Sequence, residues 1–312
     1  MSVVLLATGL LALAMPGLLG RWGRTLAPAE WARTVRASLL VGVGAVGFGL
    51  LFVAAPVVFR AAGAHDAADA CHRMLGPSVP GGELSGLAAG SVGLIIAWRI
   101  GTGSMRTSRT QRTLRVEPWL GYHERGPELD LVVLPTDELV AYAVRGPQDQ
   151  VVVSAGLLRT LDEDELAAVI AHERSHLDHG HTRHLSIATV LDASLGWIPA
   201  IGQSCRELKL VVERWADEDA GTTGAGRAAL GRALTKVAQL DGPTLILAFS
   251  GHCDVEARLV AITQPPPAPT VVARISTCAP LPVMVGALSS FLVGGSLISH
   301  HGFWGLVGLC PV

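Results

Sequence analysis

Residues 162–180 read DEDELAAVIAHERSHLDHG, and the interpretation of the whole chain hangs on this stretch. Asp162 followed three residues later by Glu165 forms a capping box, the pattern that closes the first turn of a helix, and Gly180 is a natural stop at the other end. Between them Leu166, Val169, Ile170 and Leu177 recur at the i, i+3, i+4 spacing of a buried helical stripe. His172 and His176 lie four apart, so one face of this helix can present two imidazoles to a single point. Glu173 falls on the apolar stripe itself, where a carboxylate is costly unless something compensates it. Residues 172–176 thus spell the H-E-x-x-H arrangement, in which the imidazoles hold zinc and the acid takes a proton from water as general base. The competing reading is a solvated helix on which two histidines fall four apart by chance.

A catalytic zinc site needs a third protein ligand and leaves one position open. Metzincin spacing would require Gly at 179 and His at 182, where the sequence has His179 and Thr182, so the ligand must come from elsewhere. Residues 213–220 read ERWADEDA, on a helix expected from about Arg206 to Ala220. Glu213 and Asp217 are again four apart and can face the first helix together. Glu213 then completes a His172, His176, Glu213 set for one zinc ion per chain, and Asp217 accepts the remaining N–H of a ligand histidine, His172 being the expected one. Glu218 and Asp219 crowd the same region, and an exposed acidic face is the alternative. His179, His181 and His184 read as a solvated, partly cationic helix end, with His181 or His184 lining a substrate cleft as the second option.

Working outward, Leu129–Leu134, Leu139–Val144 and Gln150–Ser154 read as strands separated by the turn residues 135–137 and 146–147. Farther out the composition changes. Half of the 312 residues are hydrophobic and 16% are charged, against roughly 25% in an ordinary soluble domain. Mean hydropathy is +0.44. These values exclude disorder, collagen and coiled coil, and a net charge of −2 gives no basic surface for direct nucleic-acid binding. Five widely spaced cysteines without a CxxC pair argue against a disulfide framework or a cysteine-ligated metal.

Four stretches are candidates to cross a bilayer: Ser2–Leu19, Ala37–Phe59, Leu84–Trp98 (short, borrowing length past Arg99, whose side chain would snorkel) and one beginning near Ala279. A secretory signal is excluded for the first, because Arg21 and Arg24 follow the apolar run instead of preceding it. Arginines crowd the segments after spans one and three and are sparse between spans two and three, so the N-terminus is expected outside and the large segment before span four in the cytoplasm. The segment 185–201 is ambiguous between a fifth span, a re-entrant piece and a buried or interfacial helix, and Asp192 with its short length favours the last. The expected architecture is therefore an α+β membrane protein: three spans in 1–105, a cytoplasmic zincin-like metallopeptidase domain in 106–274, and a last membrane helix in 275–312.

The stretch 150–158 (QVVVSAGLL), then Leu161, then 165–173 (ELAAVIAHE), followed by Glu213 and Asp217, resembles the integral-membrane gluzincin peptidases, and among them the beta-lactam-sensor (antirepressor) family. HtpX and CAAX-prenyl-protease types are the neighbouring relatives. Three spans before the catalytic segment and one after is the sensor arrangement, whereas the HtpX type usually puts two clear spans between the histidine motif and the distant Glu. The resemblance covers about 106–300, with its specific part in 150–220. It implies a multi-pass membrane zinc endopeptidase cutting a protein substrate, a penicillinase-repressor-type transcription factor or the protease itself. The strand Gln150–Ser154 would pair with the extended substrate. The sensors' extracellular penicillin-binding domain is missing from the expected plan, and no serine sits in an S-x-x-K context, so covalent beta-lactam capture is not expected. An HtpX-like quality-control protease and a non-catalytic transducer with a structural metal are the rival readings; a homodimer is left open.

Overall fold

Long apolar runs build the N-terminal third. The computed structural model describes residues 2–23, 25–75, 82–113, 122–125, 129–147, 149–223, 226–241 and 255–264. Four helices come first: α1 (Ser2–Gly23), α2 (Pro28–Ala61), α3 (His65–Leu75) and α4 (Gly82–Thr113). Within α1, α2 and α4, the segments Leu5–Gly23, Pro28–Ala61 and Glu83–Thr110 are long and apolar enough to cross a membrane. Leu18, Trp22, Leu51, Leu94 and Trp98 stay exposed on their outer faces, an apolar surface that suits lipid and not water. A Cβ at Gly42 would meet Leu13 Cγ at 2.5 Å and the Gly9 carbonyl oxygen at 2.9 Å, so glycine lets α1 and α2 approach backbone to backbone. The expected fourth span (275–312) and most of the proline-rich linker before it lie outside the described residues.

Four strands follow: β1 (Tyr122–Arg125), β2 (Leu129–Leu134), β3 (Ala141–Val144) and β4 (Asp149–Ser154). Their order in the sheet is β1-β2-β4-β3, with β2 and β4 parallel and the outer pairs antiparallel. Strand β4 is thus hydrogen-bonded on both sides. This corrects the expectation that Gln150–Ser154 receives a substrate strand: its backbone groups are already spent in the ladder, and the edge on the helical side belongs to β3.

Ser154 ends β4 and caps α5 (Ala155–Thr160), accepting the Leu157 N–H at 3.1 Å. Next comes α6 (Glu163–Asp178), closed by the reciprocal bonds of Asp162 and Glu165 at 2.8 and 3.0 Å. Gly180, at φ +62°, turns the chain into α7 (His181–Leu195), a conformation an L side chain resists. Helices α8 (Pro199–Gly221), α9 (Gly226–Asp241) and α10 (Val255–Thr263) complete the described chain. The ambiguous segment 185–201 divides into most of α7 and the start of α8, with Leu185, Ala188, Leu191, Leu195 and Ile201 packed into the interior beside Leu13, Trp31, Val35 and Leu39. Its Asp192 is paired with Lys209 Nζ at 2.8 Å.

Arg99 does not reach for a headgroup. Its Nε donates to the Ser194 carbonyl at 2.9 Å and Nη2 to that of Ala193 at 3.4 Å, where the last turn of α7 leaves carbonyls unpaired and partly negative. A second apolar cluster, with Leu139, Val151, Val153, Leu157, Leu177 and Val237, joins the sheet to α6 and α9.

Candidate metal centre

The site forms where α6 crosses α8. The four-residue spacings bring both pairs to the crossing: His172 and His176 from α6, Glu213 and Asp217 from α8, all buried or nearly so. His172 Nε2 lies 3.2 Å from His176 Nε2 and 3.4 Å from Glu213 Oε2, while His176 Nε2 is 3.7 Å from Glu213 Oε1. A tetrahedral ion with bonds of about 2.0–2.1 Å sets its donor atoms about 3.3 Å apart. The three side chains therefore fit zinc, and they are the group with such spacing among the described residues. Charge supports the fit. The buried carboxyls of Glu173, Glu213 and Asp217 gather at this crossing, where Arg258 pairs with Glu213 and Asp217, and a divalent cation would be held by the negative charge.

Asp217 Oδ1 sits 3.0 Å from His172 Nδ1, on the side of the ring away from Glu213. Arg258, on α10, was not singled out in the sequence. It donates through Nε and Nη2 to both Asp217 oxygens at 2.9 and 2.6 Å and places Nη1 3.3 Å from Glu213 Oε2. The spacing held a partial signal: Arg258 and Ile262 are four apart on a mostly apolar helix, and both turn out to be buried. Burial alone would raise both carboxyls, yet His176, His172 and Arg258 outweigh it at Glu213, and Arg258 and His172 at Asp217, holding both below the usual range. Burial likewise opposes a charge on His172, but hydrogen bonds to Asp217 and Glu213 raise it to about 9.

Glu173 is buried beside this cluster without joining the three donors. Burial pushes its carboxyl up to about 7, against the pull of the His172 charge and of a hydrogen bond from the Ala143 N–H on β3. A carboxylate with a pKa near neutrality is suited to taking and returning a proton. The adjoining cleft is lined by Leu139, Tyr142, Leu157, Leu230, Leu234 and Val237 together with the cluster itself.

The trailing histidines are not a solvated cationic end. His181 and His184 are buried, and burial lowers both, His184 to about 4. Neither lines the cleft, where Thr182 and Leu185 stand instead. The helix they begin turns inward at Gly180 and packs them against Trp215. His179 remains partly exposed and pairs with Asp219 at 2.8 Å.

Comparison with known proteins bears on the part of this site that α6 supplies. Residues 108–200, which include α6, match peptidase family M48. A protease HtpX homologue of Acidiphilium cryptum is 40% identical over 74 residues, covering 23% of this chain and 26% of that protein. The plastoglobule-localized metallopeptidase 48 of Arabidopsis thaliana is 33% identical over 90 residues (28% and 26%), and the Pyrococcus furiosus HtpX homologue 42% over 71 (22% and 25%). The chain thus spans about a quarter of the length of these curated relatives. No solved structure gives a significant match. The segment holding the histidine motif is therefore similar to the M48 peptidases, and the similarity does not single out the beta-lactam sensors.

Proposed function

We propose that the chain is a membrane-embedded zinc endopeptidase. The observation that carries this reading is the convergence of His172, His176 and Glu213 at ligand spacing, with the Glu173 carboxyl buried alongside. Zinc bound there would polarise the scissile carbonyl and acidify a water. Glu173 then removes a proton from the attacking water as its oxygen bonds to the carbonyl carbon, and delivers that proton to the amine nitrogen as the C–N bond breaks. Asp217 fixes the His172 ring, and Arg258 holds Asp217 and Glu213 in place.

An extended substrate would lie along β3. Ser154 N–H donates to the Val140 carbonyl, so Val140 and Tyr142 face β4, and by strand alternation Ala141 and Ala143 turn their backbone groups to the open edge. The Ala141 N–H and the carbonyls of Ala141 and Ala143 would then be offered to the substrate, with Glu173 close by.

The substrate is a cytoplasmic or membrane protein, and the active site faces the cytoplasm on the arginine distribution. Similarity to HtpX homologues favours membrane proteins as targets. The resemblance to the sensor family would instead make the target a repressor in a signalling pathway. Comparing protein N-termini in cells expressing the wild type and Glu173→Gln decides among these readings. New termini that vanish in the variant are expected, with about a 100- to 10,000-fold loss of cleavage. Wild-type cleavage by Glu173→Gln would refute the mechanism.

A further inference from the structure

We propose that His181 positions the His176 imidazole, accepting the proton on its Nδ1 so that Nε2 is free for the metal. The inference rests on the zinc reading above. His176 directs Nε2 toward His172 and Glu213, at 3.2 and 3.7 Å. A neutral imidazole has one donor and one acceptor nitrogen, so a His176 that gives its Nε2 lone pair to a metal carries its proton on Nδ1. The atom facing that nitrogen is His181 Nδ1, 3.1 Å away. The contact is on the far side of the ring from Glu213, which makes His181 a support and not a fourth ligand.

The local fold is built to hold it there. Gly180, at φ +62°, reverses the chain directly before His181, and the His181 side chain is fully buried. Trp215 lies against the His181 ring at 4.6 Å, two residues along α8 from Glu213. His179 stacks on the same indole at 4.7 Å, and Arg33 of α2 lies over it at 5.1 Å. His181 Nε2 is buried without a hydrogen-bond partner among the described residues. A side chain there for packing alone would be apolar, since an unpaired buried donor costs free energy. Its other nitrogen gives the residue a purpose. Each ligand histidine then has its own orienting group: Asp217 for His172, and His181 for His176.

The test measures zinc affinity of the full chain in detergent by chelator competition, for the wild type and for His181→Asn, His181→Leu and His181→Gln. Asn places an amide oxygen near the Nδ1 position, Leu has nearly the same shape without an acceptor, and Gln carries the acceptor one methylene too far. His181→Leu and His181→Gln are expected to bind zinc about 10- to 100-fold more weakly, the usual cost of losing such a support, and His181→Asn to recover most of that loss. The visible spectrum of the cobalt-loaded Asn variant should match the wild type. Should the Leu variant not fold, the Asn–Gln contrast decides alone. Equal affinities across the variants, or equal losses, would overturn the role of His181. A wild-type chain that takes up no zinc would instead overturn the metal centre itself.

Discussion

At the scale of single residues, the site is legible wherever its geometry is local. His172, Glu173 and His176 share one helical turn, and Glu213 with Asp217 share another, so spacing alone predicts which side chains can converge. Arg258 escapes that logic, because its partner Asp217 is 41 residues away on another helix. The inward turn of His181 escapes it too, since it depends on how α7 docks. Arg258 carries a strong prediction. Arg258→Met removes the guanidinium that both Asp217 and Glu213 face, leaving buried carboxylates without their partner. A loss of about 3–5 kcal/mol is expected, read as a lower thermal midpoint of the purified chain. An unchanged midpoint would mean that the pairing is not structural.

At the scale of elements, capping and turn chemistry announced α6 and three of the four strands. Strand order does not follow, because it is set by pairings between segments distant in sequence, and β4, which the sequence offers as the receiving edge, lies inside the sheet between β2 and β3. The segment 185–201 was ambiguous for a related reason: an apolar run of that length suits a membrane or a packed interior equally, and the neighbours decide. Glu165 shows how one cap also fastens two helices. Burial would raise its carboxyl, but Lys236 Nζ at 2.6 Å, the Asp162 N–H and Arg232 Nε at 3.3 Å outweigh this and keep it below its ordinary value. A carboxyl depressed in the folded state stabilises above its unfolded pKa, and the contribution is lost as pH falls through the folded value. Glu165→Gln should therefore cost about 1 kcal/mol at pH 7. The gap between the thermal midpoints of wild type and variant should close as pH drops below about 4. A gap independent of pH would assign Glu165 to packing alone.

At the scale of the whole molecule, α8 is the common element. Its first half packs on the apolar helices: the Ser204 hydroxyl accepts the Gly17 N–H at 2.9 Å and donates to the Leu13 carbonyl at 2.7 Å, inserting into the backbone ladder of α1 beside Pro16. Glu207 accepts the Trp31 indole N–H at 3.1 Å. Its second half carries Glu213 and Asp217, so one helix joins the apolar bundle to the metal centre. None of this was visible in the sequence, where Ser204 and Glu207 have no local pattern. The proposed orientation is tested by single cysteines in a background free of the native ones. An impermeant maleimide applied to intact cells should label Asp66→Cys and spare Asp149→Cys until the membrane is opened. Labelling of both would invert or abolish the orientation, and with it a cytoplasmic substrate.

The central claim, that α6 and α8 together hold one catalytic zinc, is tested most directly by the zinc-to-chain ratio of the purified full-length protein. About one equivalent is predicted for the wild type and for Glu173→Gln, with most of it lost in Glu213→Ala. Full retention of zinc in Glu213→Ala would contradict the account.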